Sequence, residues 1–471
     1  MRQLAVVVLA AGEGTRMKSA TPKVLHTLAG MPLIGHVLAT ASSLGANHVI
    51  CVLRHEKEKV AAYVGEHFPK VEIAHQDEVP GTGRAVEAAL EVLPAGFDGD
   101  VVVLSGDVPL LDVQSVSELL ARHRESASKG TLVTCELDNP AGYGRVLRAR
   151  ENLIGIVEQK DASAEQLEIT EVNAGVYVFD FALLSETLAR VGTNNAQGEK
   201  YLTDVAGMML EAGQLVQAHM IADPWLVSGV NDRHQLSNVA RELNARIVKA
   251  WQLAGVTIVE PESTWMDITV QIGQDAIIKP STRLHGLTRI GPGAQIGPDT
   301  DLTDTEVGEG AKVVRTHGEG AAIDAGATVG PFSYLRPGTR LGSDGKIGAF
   351  VETKNAVIGA GAKVPHLSYV GDAEVGEGAN IGAGTIFANY DGEKKHRTKV
   401  GAHARTGSGN VFVAPVEIGN GAYTAAGSTI RRNVEPGALA LNPTPQKNLA
   451  GWVLEKRPGS ASAKAATEGT E

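Results

Sequence analysis

An aliphatic residue followed by glycine recurs through the second half of the chain: Ile290-Gly291, Ile296-Gly297, Val329-Gly330, Leu341-Gly342, Ile347-Gly348, Ile358-Gly359, Val375-Gly376, Ile381-Gly382, Val400-Gly401 and Ile418-Gly419. Gly291 to Gly297, Gly342 to Gly348, Gly376 to Gly382 and Gly401 to Gly407 are each six apart; Gly330 to Gly342 and Gly407 to Gly419 are twelve. A hexapeptide period of this kind predicts a parallel β-helix, in which the aliphatic residue points to the axis and glycine serves the corner. Composition agrees: 55 of 471 residues are glycine and only 4% are aromatic, so cores must be built from Ala, Val, Leu and Ile. Collagen is excluded because no G-X-Y period exists, and a hydrophobic content of 43% excludes wholesale disorder.

The period breaks at 389–399 with a polar run, Asn-Tyr-Asp-Gly-Glu-Lys-Lys-His-Arg-Thr-Lys, and an insertion on a regular coil is where function is expected. The end, 458–471, is rich in Ala, Ser, Gly and Thr and predicts no fixed structure.

Residues 1 to about 230 follow a different pattern. Short apolar runs (4–9, 48–53, 71–74, 101–104, 130–137, 176–179) alternate with helical patterns at 32–43, 83–93 and 113–125. That alternation implies a Rossmann-like α/β domain with a mostly parallel sheet and ligands at the carboxyl ends of its strands. Leu236, Val239, Leu243, Ile247, Trp251 and Ala254 then recur at three- and four-residue spacing, predicting one long connecting helix capped by Asn231 or Asp232 and ended at Gly255. The expected domains are therefore 1–233, a linker helix 234–254, and 255–471.

The net charge of −11 argues against a nucleic-acid-coating or membrane-surface protein, although anionic small molecules remain possible ligands. Cys51 and Cys135 each sit in an apolar stretch and read as buried reduced thiols of a cytoplasmic protein. The run Leu4–Ala11 is too short to span a membrane and leads directly into Gly-Glu-Gly-Thr-Arg, so it reads as a strand rather than a signal peptide.

The segment Leu9-Ala10-Ala11-Gly12-Glu13-Gly14-Thr15-Arg16-Met17 follows that strand. Glycines there let backbone N–H groups approach a polyphosphate, with Arg16 and Lys23 adding positive charge. Met17 spoils both the Walker A and the dinucleotide patterns, and alone the segment is equally a plain strand-to-helix turn. It is followed, in order, by Pro22-Lys23-Val24-Leu25, Gly81-Thr82-Gly83, Ser105-Gly106-Asp107-Val108-Pro109, Gly142-Tyr143-Gly144-Arg145, Val157-Glu158-Gln159-Lys160-Asp161, Val172-Asn173-Ala174-Gly175 and Gly229-Val230-Asn231. This series resembles the sugar-phosphate nucleotidyltransferases. With the hexapeptide half attached, residues 3 to 455 resemble the bacterial bifunctional N-acetylglucosamine-1-phosphate uridylyltransferase/glucosamine-1-phosphate acetyltransferase family, whose β-helix is left-handed.

The resemblance implies a uridylyl-transfer site at Leu9, Ala10, Ala11, Gly12, Arg16, Lys23, Gln76, Gly81, Thr82, Ser105, Gly106, Asp107, Gly144, Glu158, Asn173 and Asn231. Within it, Asp107 and Asn231 hold Mg²⁺, Arg16 and Lys23 neutralise phosphates, Gln76, Gly81 and Thr82 meet the uracil of UTP, and Gly144, Glu158 and Asn173 meet the sugar. It further implies that His366 is the base for acetyl transfer, that Arg336, Lys354, Tyr369 and Asn380 hold the acceptor sugar phosphate, and that Ala383, Asn389, Tyr390, Ser408 and Ala426 surround acetyl-CoA. Each residue also has a plain structural role available: Asp107 as a turn or cap aspartate, Lys23 as a surface lysine, Asn173 and Asn231 as turn amides, His366 as a structural histidine, and the solenoid residues as corner or packing positions.

One departure stands out. Members of the family often carry an arginine that helps hold CoA where Pro443 stands here, so Lys447 or a neighbouring chain is expected to compensate. Because a β-helix has flat faces and no deep cleft, a cyclic homotrimer with acetylation sites between chains is expected, the 389–399 loop reaching toward a neighbour. The alternatives are a nucleotidyltransferase whose β-helix serves only trimerisation or regulation, and a non-catalytic binding subunit. Residue chemistry alone selects neither UTP nor glucosamine; both rest on the resemblance.

Overall fold

The computed structural model describes residues 2–150, 152–442 and 446–468, and the chain divides into two compact units. The first comprises residues 1–270 with 283–286, and the second comprises 271–282 with 287–471.

The first unit is built on nine strands: β1 (Gln3–Ala10), β2 (His48–Leu53), β3 (Glu72–His75), β4 (Gly99–Ser105), β5 (Gly130–Glu136), β6 (Arg145–Ala149), β7 (Asn152–Val157), β8 (Glu171–Asp180) and β9 (Val216–Met220). Their order is β9-β5-β8-β4-β1-β2-β3, with the β6–β7 hairpin attached to β8. Strands β4, β1, β2 and β3 are parallel, as the α/β alternation requires, whereas β8 runs antiparallel to both β4 and β5. The sequence pattern leaves out β6, β7 and β9.

Alternation along β1 explains how the sheet is covered. Val6, Val8 and Ala10 join one core with Ile34, Val37 and Leu38 of the helix Leu33–Ser43 and Val116 and Leu119 of the helix Val113–Glu125. Ala5 and Val7 face the opposite core with Val86 of the helix Thr82–Leu90 and Leu184 and Val205 of two later helices. Both faces of a parallel sheet must be covered in this way, and the strands read accordingly as continuous valine and leucine. Cys51 and Cys135 are buried free thiols of the first core; burial pushes the Cys51 thiol up to about 12.

The long helix spans Arg233–Leu253. Asp232 caps its start by accepting the Gln235 N–H at 2.8 Å. Its end is a Schellman turn, with Val256 N–H on Trp251 O (3.0 Å), Gly255 N–H on Gln252 O (3.2 Å), and Gly255 in the left-handed region. Leu236, Val239 and Leu243 pack with Leu28, Leu33, Leu110 and Val230, so the helix belongs to the first unit's core. Buried Asn244 lies inside its apolar stripe. It accepts the Met266 N–H (3.0 Å) and donates to Thr264 O (2.7 Å), taking up the backbone groups of the segment that follows.

The second unit is a parallel β-helix of short strands. Its inward columns match the hexapeptide period. Ile272 stacks on Ile290, Val307, Ile323, Leu341, Ile358, Val375, Val400 and Ile418, while Ile278 stacks on Ile296, Val313, Val329, Ile347 and Val364. Most coils take 16 to 18 residues, but Val375 to Val400 takes 25, which accommodates the polar loop. That loop is pinned by Asp391, which accepts the N–H groups of Glu393 and Lys394 (2.8 and 2.6 Å) and pairs with His396 (2.6 Å). The expectation of no fixed structure over 458–471 is corrected at Ala461–Glu468, which is helical because its alanines favour a helix; residues 469–471 lie outside the described ones. Among the described residues no helix is long and apolar enough to cross a membrane.

Candidate active sites

The carboxyl ends of β1 and β4 and the segment just after β3 converge. Leu9–Gly12, Lys23, Gln76, Gly81, Thr82, Ser105 and Asp107 line one cavity of about 470 Å³. An adjoining cavity of about 210 Å³ is lined by Gly144, Glu158, Asn173 and Asn231 and shares Leu9, Thr82, Ser105 and Asp107 with the first. A strand-end cleft of two chambers suits a ligand of two parts. Gly106 lies beneath, its N–H on Leu9 O at 2.8 Å.

At the shared wall Lys23 Nζ stands 2.5 Å from Asp107 Oδ2 and 3.3 Å from Asn231 Oδ1, and Arg16 Nη2 donates to the same Asn231 oxygen at 2.9 Å. Backbone geometry sets this cluster. Val230 N–H donates to Asp107 O (2.9 Å), drawing Asn231 alongside, and Arg233 ties the helix start to Met17 O (3.2 Å). Gly14 holds φ +66°, and a Cβ there would stand 2.5 Å from Lys23 Cβ, so the turn needs glycine both for its backbone and for the lysine's position.

In the larger chamber, buried Gln76 donates its amide hydrogens to Val79 O (2.8 Å) and Gly81 O (3.1 Å), which leaves its carbonyl as the acceptor available to a ligand. In the smaller chamber, Asn173 bonds Tyr177 Oη (2.6 Å) at an irregularity in the β8–β5 register. Burial raises the Glu158 carboxyl above the ordinary range, partly offset by the Thr203 hydroxyl at 3.1 Å and reinforced by Asp204, Asp161 and Glu199.

The second unit carries another constellation. Lys363 pairs with Asn380, Asn380 with Arg405 and Arg405 with Tyr423, so three residues further on His366, Ala383, Ser408 and Ala426 stack at one corner. The bonds Gly384 N–H to His366 O (3.2 Å), Gly409 N–H to Ala383 O (2.7 Å) and Gly427 N–H to Ser408 O (2.8 Å) run along it. The adjoining face carries two outward columns. One is Tyr334, Glu352, Tyr369, Ile386, Val411 and Thr429; the other begins with Arg336 and Lys354. Asn380 sits on the face before the corner. Pro443 lies outside the described residues, and Lys447 is exposed.

Arg336 pairs with Glu352 at 3.0 Å. Asn389 donates to Asp372 (2.6 Å) and to Tyr369 Oη (3.4 Å), joining the polar loop to the face; Tyr390 is exposed on the loop itself. A Cβ on Gly371 would overlap the Tyr369 hydroxyl and stand 2.7 Å from Asn389 Nδ2, so this glycine is a close-approach position. Burial would raise Asp372, but Asn355, Asn389, Lys354 and Lys395 outweigh it and hold its carboxyl below the ordinary range. Lys395, absent from the sequence-derived site, stands beside Lys354 and lowers the latter's pKa; the signal was its place in the loop that breaks the period. Two neighbouring ammonium groups and a guanidinium make a site for a dianion.

Residues 6–166 match the model of the MobA-like NTP transferase domain. A Clavibacter sepedonicus protein named Bifunctional protein GlmU is 57% identical over 469 residues, covering 99% of this chain and 95% of its own. Proteins of the same name from Kineococcus radiotolerans and Mycolicibacterium smegmatis are each 56% identical, covering 98% of this chain and 94% and 97% of theirs. At this identity over nearly the full length of both partners, the chain belongs to the family of bifunctional GlmU proteins.

Proposed function

We propose that the chain is a two-step enzyme of UDP-N-acetylglucosamine synthesis. The β-helix acetylates glucosamine 1-phosphate with acetyl-CoA. The N-terminal unit then couples N-acetylglucosamine 1-phosphate with UTP, releasing pyrophosphate. The observation that carries this reading is the second constellation: a β-helix used only for assembly or regulation has no need of Arg336 and Lys354 on a face beside the corner column of His366.

In uridylyl transfer the sugar phosphate is already an anionic nucleophile. Its oxygen attacks the α-phosphorus of UTP, the bond to the bridging oxygen breaks, and pyrophosphate departs, so positioning and charge neutralisation carry the step. Arg16 and Lys23 supply the protein's cations. The free carbonyl of Gln76 accepts the imide N–H of uracil, and Gly81 and Thr82 flank the base. Gly144, Glu158 and Asn173 hold the sugar.

Asp107 and Asn231 offer a carboxylate and an amide oxygen that converge on one point, as Lys23 Nζ demonstrates by reaching both. Among the described residues no group of three or more His, Cys, Asp or Glu forms a metal cage, which suits Mg²⁺ that keeps waters and phosphate oxygens in its shell. Bound there, Mg²⁺ would neutralise charge on the triphosphate.

In acetyl transfer the free-base amine attacks the thioester carbonyl. His366 accepts the amine proton as the new C–N bond forms and returns it to the departing CoA thiolate. Arg336 and Lys354 hold the acceptor's phosphate, with Tyr369 and Asn380 on the sugar. Ala383, Ser408 and Ala426 offer the thioester arm their backbone groups, and Asn389 and Tyr390 border it.

The functional division assigned is 1–233 for uridylyl transfer, 234–254 as the joining helix and 255–471 for acetyl transfer, in a cytoplasmic homotrimer whose neighbouring chain supplies the wall that a flat β-helix face lacks. The full-length variants Asp107→Asn and His366→Ala test the two-site reading. Asp107→Asn should lose uridylyl transfer and keep acetyl transfer, and His366→Ala should do the reverse. Loss of both activities in either folded variant would overturn it, and light scattering showing an active monomer would remove the trimer.

A further inference from the structure

Asn173 and Tyr177 are four residues apart on β8, which would separate them by about 13 Å along a regular strand. Instead Asn173 Nδ2 donates to Tyr177 Oη at 2.6 Å. The cause is a bulge: Asn173 pairs with Thr134 of β5 and Tyr177 with Leu132, so four steps on β8 match two on its partner. Gly175, at φ +70°, supplies the left-handed residue inside it. The Gly175 N–H donates to Asn173 Oδ1 at 3.3 Å, which fixes the way the amide faces and makes its NH₂ the end that meets the hydroxyl.

Tyr177 is 4% exposed. Its ring lies in the core that also holds Ala5 and Val7, stacked on Phe179 with centroids 5.5 Å apart, yet the residue also lines the smaller chamber, where its hydroxyl meets Asn173. Burial pushes its pKa up, Asn173 offsets part of the rise and Glu158 adds to it, so the group stays a neutral O–H. The oxygen accepts from Asn173, but the hydroxyl hydrogen has no acceptor among the described residues. A buried hydroxyl left without one is costly, so the ligand of the chamber is its natural partner. Leu9, Val108, Ala174 and Val227 give the same chamber an apolar wall. A hydrogen-bond donor beside aliphatic side chains fits an acetamido group, whose carbonyl accepts and whose methyl is apolar. An unacetylated amino sugar presents an ammonium group there, which offers donors only and leaves the hydroxyl hydrogen unpaired.

We infer that Tyr177 is a specificity-determining residue of uridylyl transfer, its hydroxyl donating to the acetamido carbonyl of N-acetylglucosamine 1-phosphate. The assignment rests on the uridylyltransferase reading above and deepens it. One hydroxyl makes acetylation a precondition for the second reaction, so the two steps run in one order. Asn173 anchors the hydroxyl oxygen and Phe179 the ring.

The test uses the full-length chain and its Tyr177→Phe variant, which removes the hydroxyl and keeps the ring on Phe179. Uridylyl transfer is followed without acetyl-CoA, with N-acetylglucosamine 1-phosphate as substrate and glucosamine 1-phosphate as competitor. Losing one buried hydrogen bond should raise the KM for the acetylated sugar roughly 3- to 10-fold. The KM for UTP and the inhibition constant of glucosamine 1-phosphate should stay as in the unmodified chain. A second measurement needs no variant to fold. The N-thioacetyl analogue, whose sulfur is a poor acceptor, should show a raised KM with the unmodified chain, and the gap between the two sugars should close in Tyr177→Phe. An unchanged KM for the acetylated sugar in Tyr177→Phe, or a rise shared equally by glucosamine 1-phosphate, would overturn the assignment while leaving the uridylyltransferase reading intact. So would an analogue that the unmodified chain takes as readily as the acetylated sugar. An unmodified chain that transfers no uridylyl group to N-acetylglucosamine 1-phosphate would instead remove that reading and this inference with it.

Discussion

Lys23 Nζ lies 2.5 Å from Asp107 Oδ2, joining residues 84 positions apart at the wall common to both chambers of the N-terminal cleft. The same ammonium also reaches Asn231 Oδ1 at 3.3 Å. A cation held between the two oxygens assigned to the metal draws both toward a common centre, and it would move onto phosphate when a divalent ion takes that place. Lys23→Met should therefore lower uridylyl transfer by roughly 10²–10³-fold, the range for removing a preorganised charge-stabilising group. Acetyl transfer measured on the same preparation should be unchanged; a parallel fall in both would mean that Lys23 serves folding.

Glu158 makes a pH-dependent prediction. Burial raises its carboxyl, so between its unfolded and folded pKa values the native state binds more protons than the unfolded state, and stability falls as pH rises through that window. Glu158→Gln removes the titration. Thermal unfolding followed from about pH 4 to about pH 7 should show the variant gaining on the unmodified chain as pH rises. The same variant keeps a hydrogen-bonding group in the sugar chamber, so its uridylyl-transfer KM for the sugar phosphate should rise less than that of Glu158→Ala. A constant stability difference across the range would contradict the assigned direction.

Asn244 supplies a purely structural test. It is 6% exposed and serves both Met266 N–H and Thr264 O, groups that otherwise lie buried at the start of the first coil. Asn244→Ala should destabilise the protein by about 1–3 kcal/mol, since the two backbone groups lose their partner without gaining water. Denaturant unfolding measures this. A variant within about 0.5 kcal/mol of the unmodified chain would show that other groups take over.

What could be read in advance follows from how local each signal is. The hexapeptide columns were legible because every inward residue repeats its neighbour's environment one coil on, from Ile272 to Ile418. The parallel strands were legible because burial on both faces makes them continuous apolar runs. The β6–β7 hairpin was not. Its first strand shows no alternation, with Arg145 and Val146 both buried and Leu147 and Arg148 half-buried, and the hairpin turns through Arg150 at φ +58°. The antiparallel placing of β8 is set by partners 35 to 80 residues away in the chain, which no local pattern encodes. The motif residues announced the phosphate end of the first site, yet that Lys23, Asp107 and Asn231 share one point depends on contacts 84 and 208 residues long. Asn244 was hidden because a polar residue inside an apolar stripe has no meaning until its backbone partners are known.

Lys395 concerns the acceptor end of the second site. Its ammonium sits beside that of Lys354 and lowers the latter's pKa, a like-charge arrangement that an incoming dianionic phosphate relieves. Lys395→Ala removes one of the three cations facing that phosphate, so the KM for glucosamine 1-phosphate should rise roughly 10-fold, as for the loss of one charge-assisted contact. The sign of the accompanying pH effect is fixed by the same geometry. Without Lys395, Lys354 keeps its proton to higher pH, so the alkaline fall of kcat/KM for the acceptor should move upward even as its maximum drops. Lys395→Arg, which preserves the charge, should restore most of the affinity. A KM unchanged in Lys395→Ala, or an alkaline limb that moves downward, would show that the two ammonium groups do not share the phosphate.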